Sequence, residues 1–97
     1  MQKGTYYNER RRYLEKLTEV LAVIQDFNEI KYVHEYYDDA EYVVITDVLG
    51  GAVFVDITAK TLEEIFKEVT KVINGQTPNG LVTNINIKRH IATALKK

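Results

Sequence analysis

Two runs of β-branched residues meet at Gly50 and Gly51, and no other feature narrows the possible folds of this chain as much. The stretch from Glu41 to Thr58 reads EYVVITDVLGGAVFVDIT. A Gly-Gly pair supplies the positive φ angles that a two-residue hairpin turn needs. With the two glycines as the turn, Leu49 faces Ala52, Val48 faces Val53, Thr46 faces Val55 and Val44 faces Ile57. Side chains alternate with period two along a strand, so Tyr42, Val44, Thr46, Val48, Val53, Val55 and Ile57 then share one apolar face. The reverse face carries Val43, Ile45, Leu49, Ala52 and Phe54, with Asp47 and Asp56 between them.

The flanking segments supply helices for the first face. Residues 1–7 read as a frayed terminus, and Asn8 is a good N-cap for a helix running to about Phe27. Tyr13, Leu14, Leu17, Val20, Leu21, Ile24 and Phe27 fall on one side of it, with Arg10 inside that arc, placed to snorkel or to meet a carboxylate. Ile30 to Tyr37 alternates as a strand. An odd-numbered loop, Asp38-Asp39-Ala40, puts Tyr32, His34 and Tyr36 on the face of Val44, whereas an even one buries Lys31 and Glu35. After the hairpin, Thr61-Leu62-Glu63-Glu64 is a capping box, and the helix it opens stops at Asn74-Gly75. Leu62, Ile65, Phe66, Val69, Val72 and Ile73 form its apolar side. Beyond the turn residues 76–80, residues 81–84 can add a short strand, and Asn86 can cap a last helix on which Ile87, Ile91, Ala94 and Leu95 share a side.

The expected fold is therefore α+β and two-layered: a three-stranded antiparallel meander with two helices on one face, in the order α-β-β-β-α, plus a C-terminal helix. Ninety-seven residues make a single domain, residues 1–97, with 76–97 a basic segment that packs on the domain or on a partner. The longest apolar run falls short of the roughly 18 to 20 residues that cross a bilayer, and the first residues lack the apolar core of a secretory signal, so a cytoplasmic location is expected. Cysteine and serine are both absent, which eliminates Ser and Cys nucleophiles, zinc thiolate sites and redox switching. A formal net charge of −1 conceals an asymmetry. Residues 29–68 carry ten acidic side chains and three basic ones, while residues 69–97 carry five basic and none acidic. Such asymmetry suits a steered contact with another molecule or a second copy, or complementarity within one fold.

The expected function is that of a small non-catalytic interaction or regulatory module, acting through the reverse sheet face and the basic tail. A protein partner, including a second copy as a homodimer, is expected at Ile45, Leu49, Phe54, Tyr37 and Ile91; the competing reading has the chain's own residues 81–95 cover that face. Tyr6, Tyr7 and Tyr37 sit beside the least committed backbone and suit contacts apolar at one end and wet at the other. The alternative is nucleic-acid binding through Arg10, Arg11 and Arg12 with Lys88 and Arg89, although Glu15, Glu19 and Asp26 share the helix of the arginines. No cofactor and no metal are expected. His34 and His90 stand far apart, and Asp38, Asp39 and Glu41 lack the alternating ligands of a calcium loop. Gly75 and Gly80 have the spacing of a phosphate loop without its Lys and Ser/Thr. For an enzyme the chain offers the pair Asp47 and Asp56 on one face of adjacent strands, with no pocket wall implied, so no enzyme is expected.

Overall fold

The computed structural model describes residues 3–21, 27–35 and 37–96. Its elements run α1 (Lys3–Leu21), β1 (Phe27–His34), β2 (Glu41–Asp47), β3 (Ala52–Asp56), α2 (Leu62–Ile73) and α3 (Ile85–Leu95). The strands form an antiparallel sheet in the order β1-β2-β3, the meander expected. Element ends differ from the expectation. The helix α1 begins at Lys3, ahead of Asn8, so the segment read as frayed is helical from that residue on. Phe27 opens β1 instead of closing a helix, and β1 ends at His34, before Tyr37. Ile24 and Tyr36 lie outside the described residues.

The hairpin turn is one residue longer than the glycine pair suggests. The Asp47 N–H donates to the Gly51 carbonyl at 3.0 Å and the Gly50 N–H to the Asp47 carbonyl at 3.3 Å, and Gly50 has φ +90°. This is a three-residue loop, a tight turn closed by a left-handed glycine. Asp47 selects it. Its Oδ1 accepts from the Leu49 N–H at 2.9 Å and the Gly51 N–H at 2.8 Å. A Cβ on residue 51 would lie 2.6 Å from Asp47 Oδ2, so the second glycine leaves space for the carboxylate instead of bending the chain. The register consequently pairs Val43 with Val55, Val44 with Phe54, Ile45 with Val53 and Thr46 with Ala52. That corrects the pairing of Val44 with Ile57 and of Thr46 with Val55.

The β1–β2 loop also has the parity opposite to the one expected. Glu35 N–H donates to the Ala40 carbonyl at 2.8 Å, Ile30 lies opposite Ile45, and Tyr32 lies opposite Val43. The even loop does not bury Lys31, whose side chain keeps 44% of its exposure, and Glu35 is met by His90 at 2.9 Å. Each change inverts β2 relative to a neighbour. Together they leave β1 and β3 facing as expected and turn over β2 alone.

Helices cover both faces of the sheet. Ile30, Val43, Ile45, Val55 and Ile57 pack with Leu14 of α1 and with Ile65, Val69 and Val72 of α2. On the reverse face Val33 and Val44 are buried with Ile91 of α3, bordered by Tyr42, Phe54, Ala94 and Leu95. So α1 and α2 share a face, as the apolar stripes imply, and α3 adds a third layer. Each fully buried aliphatic side chain contributes about 1.5–3 kcal/mol, which makes the first core much the larger reservoir of stability.

Local chemistry fixes α2 and the segment after it. Thr61 accepts from the Glu64 N–H while the Glu64 side chain accepts from the Thr61 N–H, the expected capping box. At the other end Gly75, at φ +74°, donates to Val72, and Gln76 donates to Lys71 at 2.7 Å, a complete left-handed cap. Buried Glu68 then accepts from the Asn79 N–H at 2.9 Å and the Gly80 N–H at 2.8 Å. The chain passes along β3, where Asp56 N–H donates to Gly80 and Val82 N–H to Phe54. The expected short strand is reduced to one bridge, Val55 with Leu81. Asn84, not Asn86, caps α3, accepting from Asn86 N–H at 2.9 Å.

Candidate interaction surfaces

Arg10 projects from α1 into the core and is only 3% exposed. A charge held there must be paired, since an unpaired guanidinium removed from water is very costly. Its Nε donates to Glu41 Oε2, its Nη1 to the Lys60 carbonyl at 2.5 Å and its Nη2 to the Ile57 carbonyl at 3.1 Å. Tyr32 Oη donates to the same carboxylate oxygen at 2.6 Å, and Ala59 N–H donates to the other at 3.2 Å. Burial first, then the bond to Glu41 and its charge, push the Tyr32 phenol well above its ordinary range. The network joins α1 to β1, β2 and the β3–α2 loop. It also takes Arg10 out of any nucleic-acid site and Glu41 away from Asp38 and Asp39.

The other cations named for nucleic acid do not converge. Arg11 and Arg12 stand on α1, with Arg11 over the Tyr32 ring at 5.2 Å. Lys88 and Arg89 stand on α3, across the sheet, with Lys88 over the Phe54 ring at 5.9 Å. His34 lies against the Tyr7 ring, centroids 3.7 Å apart, and 3.2 Å from Asp39; Tyr6 packs edge-on to Tyr7 and against Arg10. Tyr6 and Tyr7 thus belong to the wall between α1 and β1.

The expected partner residues are dispersed. Ile45 belongs to the first core and Ile91, fully buried, to the second. Phe54 is half-buried under α3. The reverse face is therefore covered by the chain's own tail, which corrects the picture of a face left for a partner. Leu49 projects from the hairpin tip at 93% exposure, and Tyr37 is wholly exposed in the β1–β2 loop. Asp47 and Asp56 do not face each other: Asp47 caps the hairpin turn, while Asp56 lies opposite Tyr42 and accepts from Thr58. Gly80 serves close packing, because a Cβ there would meet the Asp56 carbonyl at 2.3 Å. Among the described residues no group of three or more His, Asp or Glu side chains is placed to hold a metal, and no helix is long and apolar enough to cross a membrane.

Two surfaces do gather exposed side chains. The first consists of adjoining hollows of about 330 and 320 Å³ that share Tyr42 and Ile87. Glu35, Tyr37, Asp38, Asn86 and His90 border one, and Asp56, Asn79, Leu81 and Asn84 border the other. Glu35, Asp38 and Asp56 make this surface acidic, and burial, followed by the charges of Asp56, Asp38 and Glu35, raises the Tyr42 phenol. The second is a hollow of about 430 Å³ on the outer side of α2, lined by Lys60, Lys67, Lys71, Phe66, Thr70 and Asn79 with Glu64 and Glu68. Both carboxylates are already engaged, Glu64 in the capping box and Glu68 with the 79–80 backbone. Hydrogen bonding leaves both carboxylates charged, so the hollow is mixed in sign, three lysines and two glutamates around a Phe66 ring that is 49% exposed. The sequence reading placed Phe66 in the core. The missed signal is Lys67 and Lys71, four residues apart on one side of α2, with Lys60 just ahead of its cap. No family model, curated protein or solved structure matches the chain.

Proposed function

We propose that the protein is a small non-catalytic module of the cytoplasm that binds a protein partner, with a second copy of itself among the candidates. Its contact surface is the one formed by Tyr37, Tyr42, Leu81 and Ile87. One observation carries this reading: two hollows that share Tyr42 and Ile87 leave a wholly exposed tyrosine and two exposed aliphatic side chains at one end of the molecule. Tyrosine offers a large contact area with few rotatable bonds and a polar tip, and a contiguous apolar patch with a polar border is the usual makeup of a protein contact. The border here is supplied by Glu35, Asp38, Asn84, Asn86 and His90.

The test replaces Tyr37 by the photo-crosslinking residue p-benzoylphenylalanine in cells that make the protein. Irradiation is expected to yield an adduct with a protein, and adding Ile87→Asp is expected to remove it. Adducts with nucleic acid alone, or protein adducts indifferent to Ile87→Asp, would overturn the reading.

A further inference from the structure

Among the described residues, no Lys or Arg borders either hollow of the Tyr42 surface, while Glu35 and Asp38 border one and Asp56 the other. His90 is the one basic side chain on their rims, and it stands 2.9 Å from Glu35. All three carboxylates lie within the acidic stretch 29–68. We infer that the occupant of this surface is a basic segment of a protein partner, which lays Lys or Arg side chains into the two hollows and an aliphatic side chain against Tyr42 and Ile87. The inference rests on the reading of the Tyr42 surface as a contact surface and names the chemistry of its partner.

The carboxylates have room to receive such side chains. Glu35 uses Oε2 for His90, Asp38 uses Oδ1 for the Ala40 N–H at 3.1 Å, and Asp56 uses Oδ1 for the Thr58 N–H and hydroxyl. Among the described residues the second oxygen of each makes no hydrogen bond. Spare carboxylate oxygens around an apolar floor suit a cation on a long apolar stem: the stem lies along Tyr37, Tyr42, Leu81 and Ile87, and the head reaches the rim. The two tyrosine rings also present faces that attract a cation. Burial first, then the charges of Asp56, Asp38 and Glu35, raises the Tyr42 phenol, so the three fields meet at the ring both hollows share. A phosphate backbone is repelled from the same place. The α2 hollow carries both signs and makes no such choice.

Short random peptides displayed on phage are selected on immobilised wild type, on Asp38→Lys and on Glu63→Lys, and the best peptide is measured by fluorescence anisotropy at low and high salt. Wild type is expected to enrich Lys and Arg beside aliphatic residues, with affinity falling as salt rises. Asp38→Lys is expected to lose that enrichment and to bind the peptide about tenfold or more weakly. Glu63→Lys makes the same change of charge at an exposed position of α2 outside both hollows, and is expected to bind like wild type. Tyr37 is wholly exposed, so Tyr37→Ala keeps the fold, checked by circular dichroism, and is expected to weaken binding about tenfold. Selected peptides without Lys or Arg, no enrichment over a bare support, a Tyr37→Ala that binds like wild type, or an equal loss in Asp38→Lys and Glu63→Lys, the mark of attraction to net charge alone, would each overturn the inference. So would a wild-type dimer in light scattering that Asp38→Lys dissolves, since a second copy would then hold the surface. A protein adduct at position 37 that maps to a segment lacking Lys and Arg would remove the basic partner and leave the contact surface standing.

Discussion

Glu41 and Arg10 show how much can depend on one buried carboxylate. Glu41 is 1% exposed, and its two oxygens satisfy a guanidinium, a phenol and a backbone N–H from three other parts of the chain. Glu41→Ala leaves that guanidinium buried and uncompensated, so a loss of about 3–5 kcal/mol is expected in urea unfolding. A chain of this size has about 5–15 kcal/mol in all, which makes the loss a large fraction of the total. Changing both Arg10 and Glu41 to Met is expected to recover part of it, because neither charge of that pair then remains buried. The sequence made half of this pair legible. Arg10 lies within the apolar arc of α1, which marks it as needing a carboxylate. Glu41 stands where a solvated turn residue would, and only the register of β2 turns it inward.

The helix α2 was readable from end to end because its signals are local: a capping box, an apolar stripe and a glycine stop lie within one stretch of chain. Thr61→Ala is expected to cost about 1 kcal/mol, measured as a lower urea midpoint. Accepting from the Thr61 N–H holds the Glu64 carboxyl below its ordinary range. A carboxyl lowered in the folded state stabilises above the ordinary carboxylate range, and the gain is lost as pH falls through the lowered value. Glu64→Ala, which removes that carboxyl while Thr61→Ala keeps the N–H it accepts from, should therefore cost most at neutral pH and least in acid. The hairpin was less readable for a physical reason. Both faces of the sheet are covered, so β2 and β3 are apolar at successive positions, Val43-Val44-Ile45 against Val53-Phe54-Val55, and alternation cannot choose a register. Side-chain hydrogen bonding by Asp47 chose it, at a residue that hydropathy assigns no role.

Across the whole molecule the two cores are unequal. Among the described residues α1 and α2 share a core with nine buried side chains, whereas α3 is held to the sheet by Ile91 with Val33 and Val44, aided by half-buried neighbours. Regions with few buried apolar contacts open first. Ile91→Ala, a loss of about 2–5 kcal/mol when the whole molecule bears it, is expected to act mainly on α3. Hydrogen exchange should show residues 85–95 losing protection well before residues 62–73, and equal loss in both would mean a single cooperative unit. The surfaces proposed for contact were not legible in advance, because exposure is decided by which face each strand presents, and β2 is the strand whose facing the sequence leaves open. One feature bears on more than stability. Residues 79–82, held by Glu68, occupy the outer border of β3 and take up the Asp56 amide and the Phe54 carbonyl. Stripped of that selvedge, a Val-Phe-Val ribbon would offer its bare margin to any passing chain, the beginning of a fibril. A carboxylate on a helix thereby guards solubility from a distance.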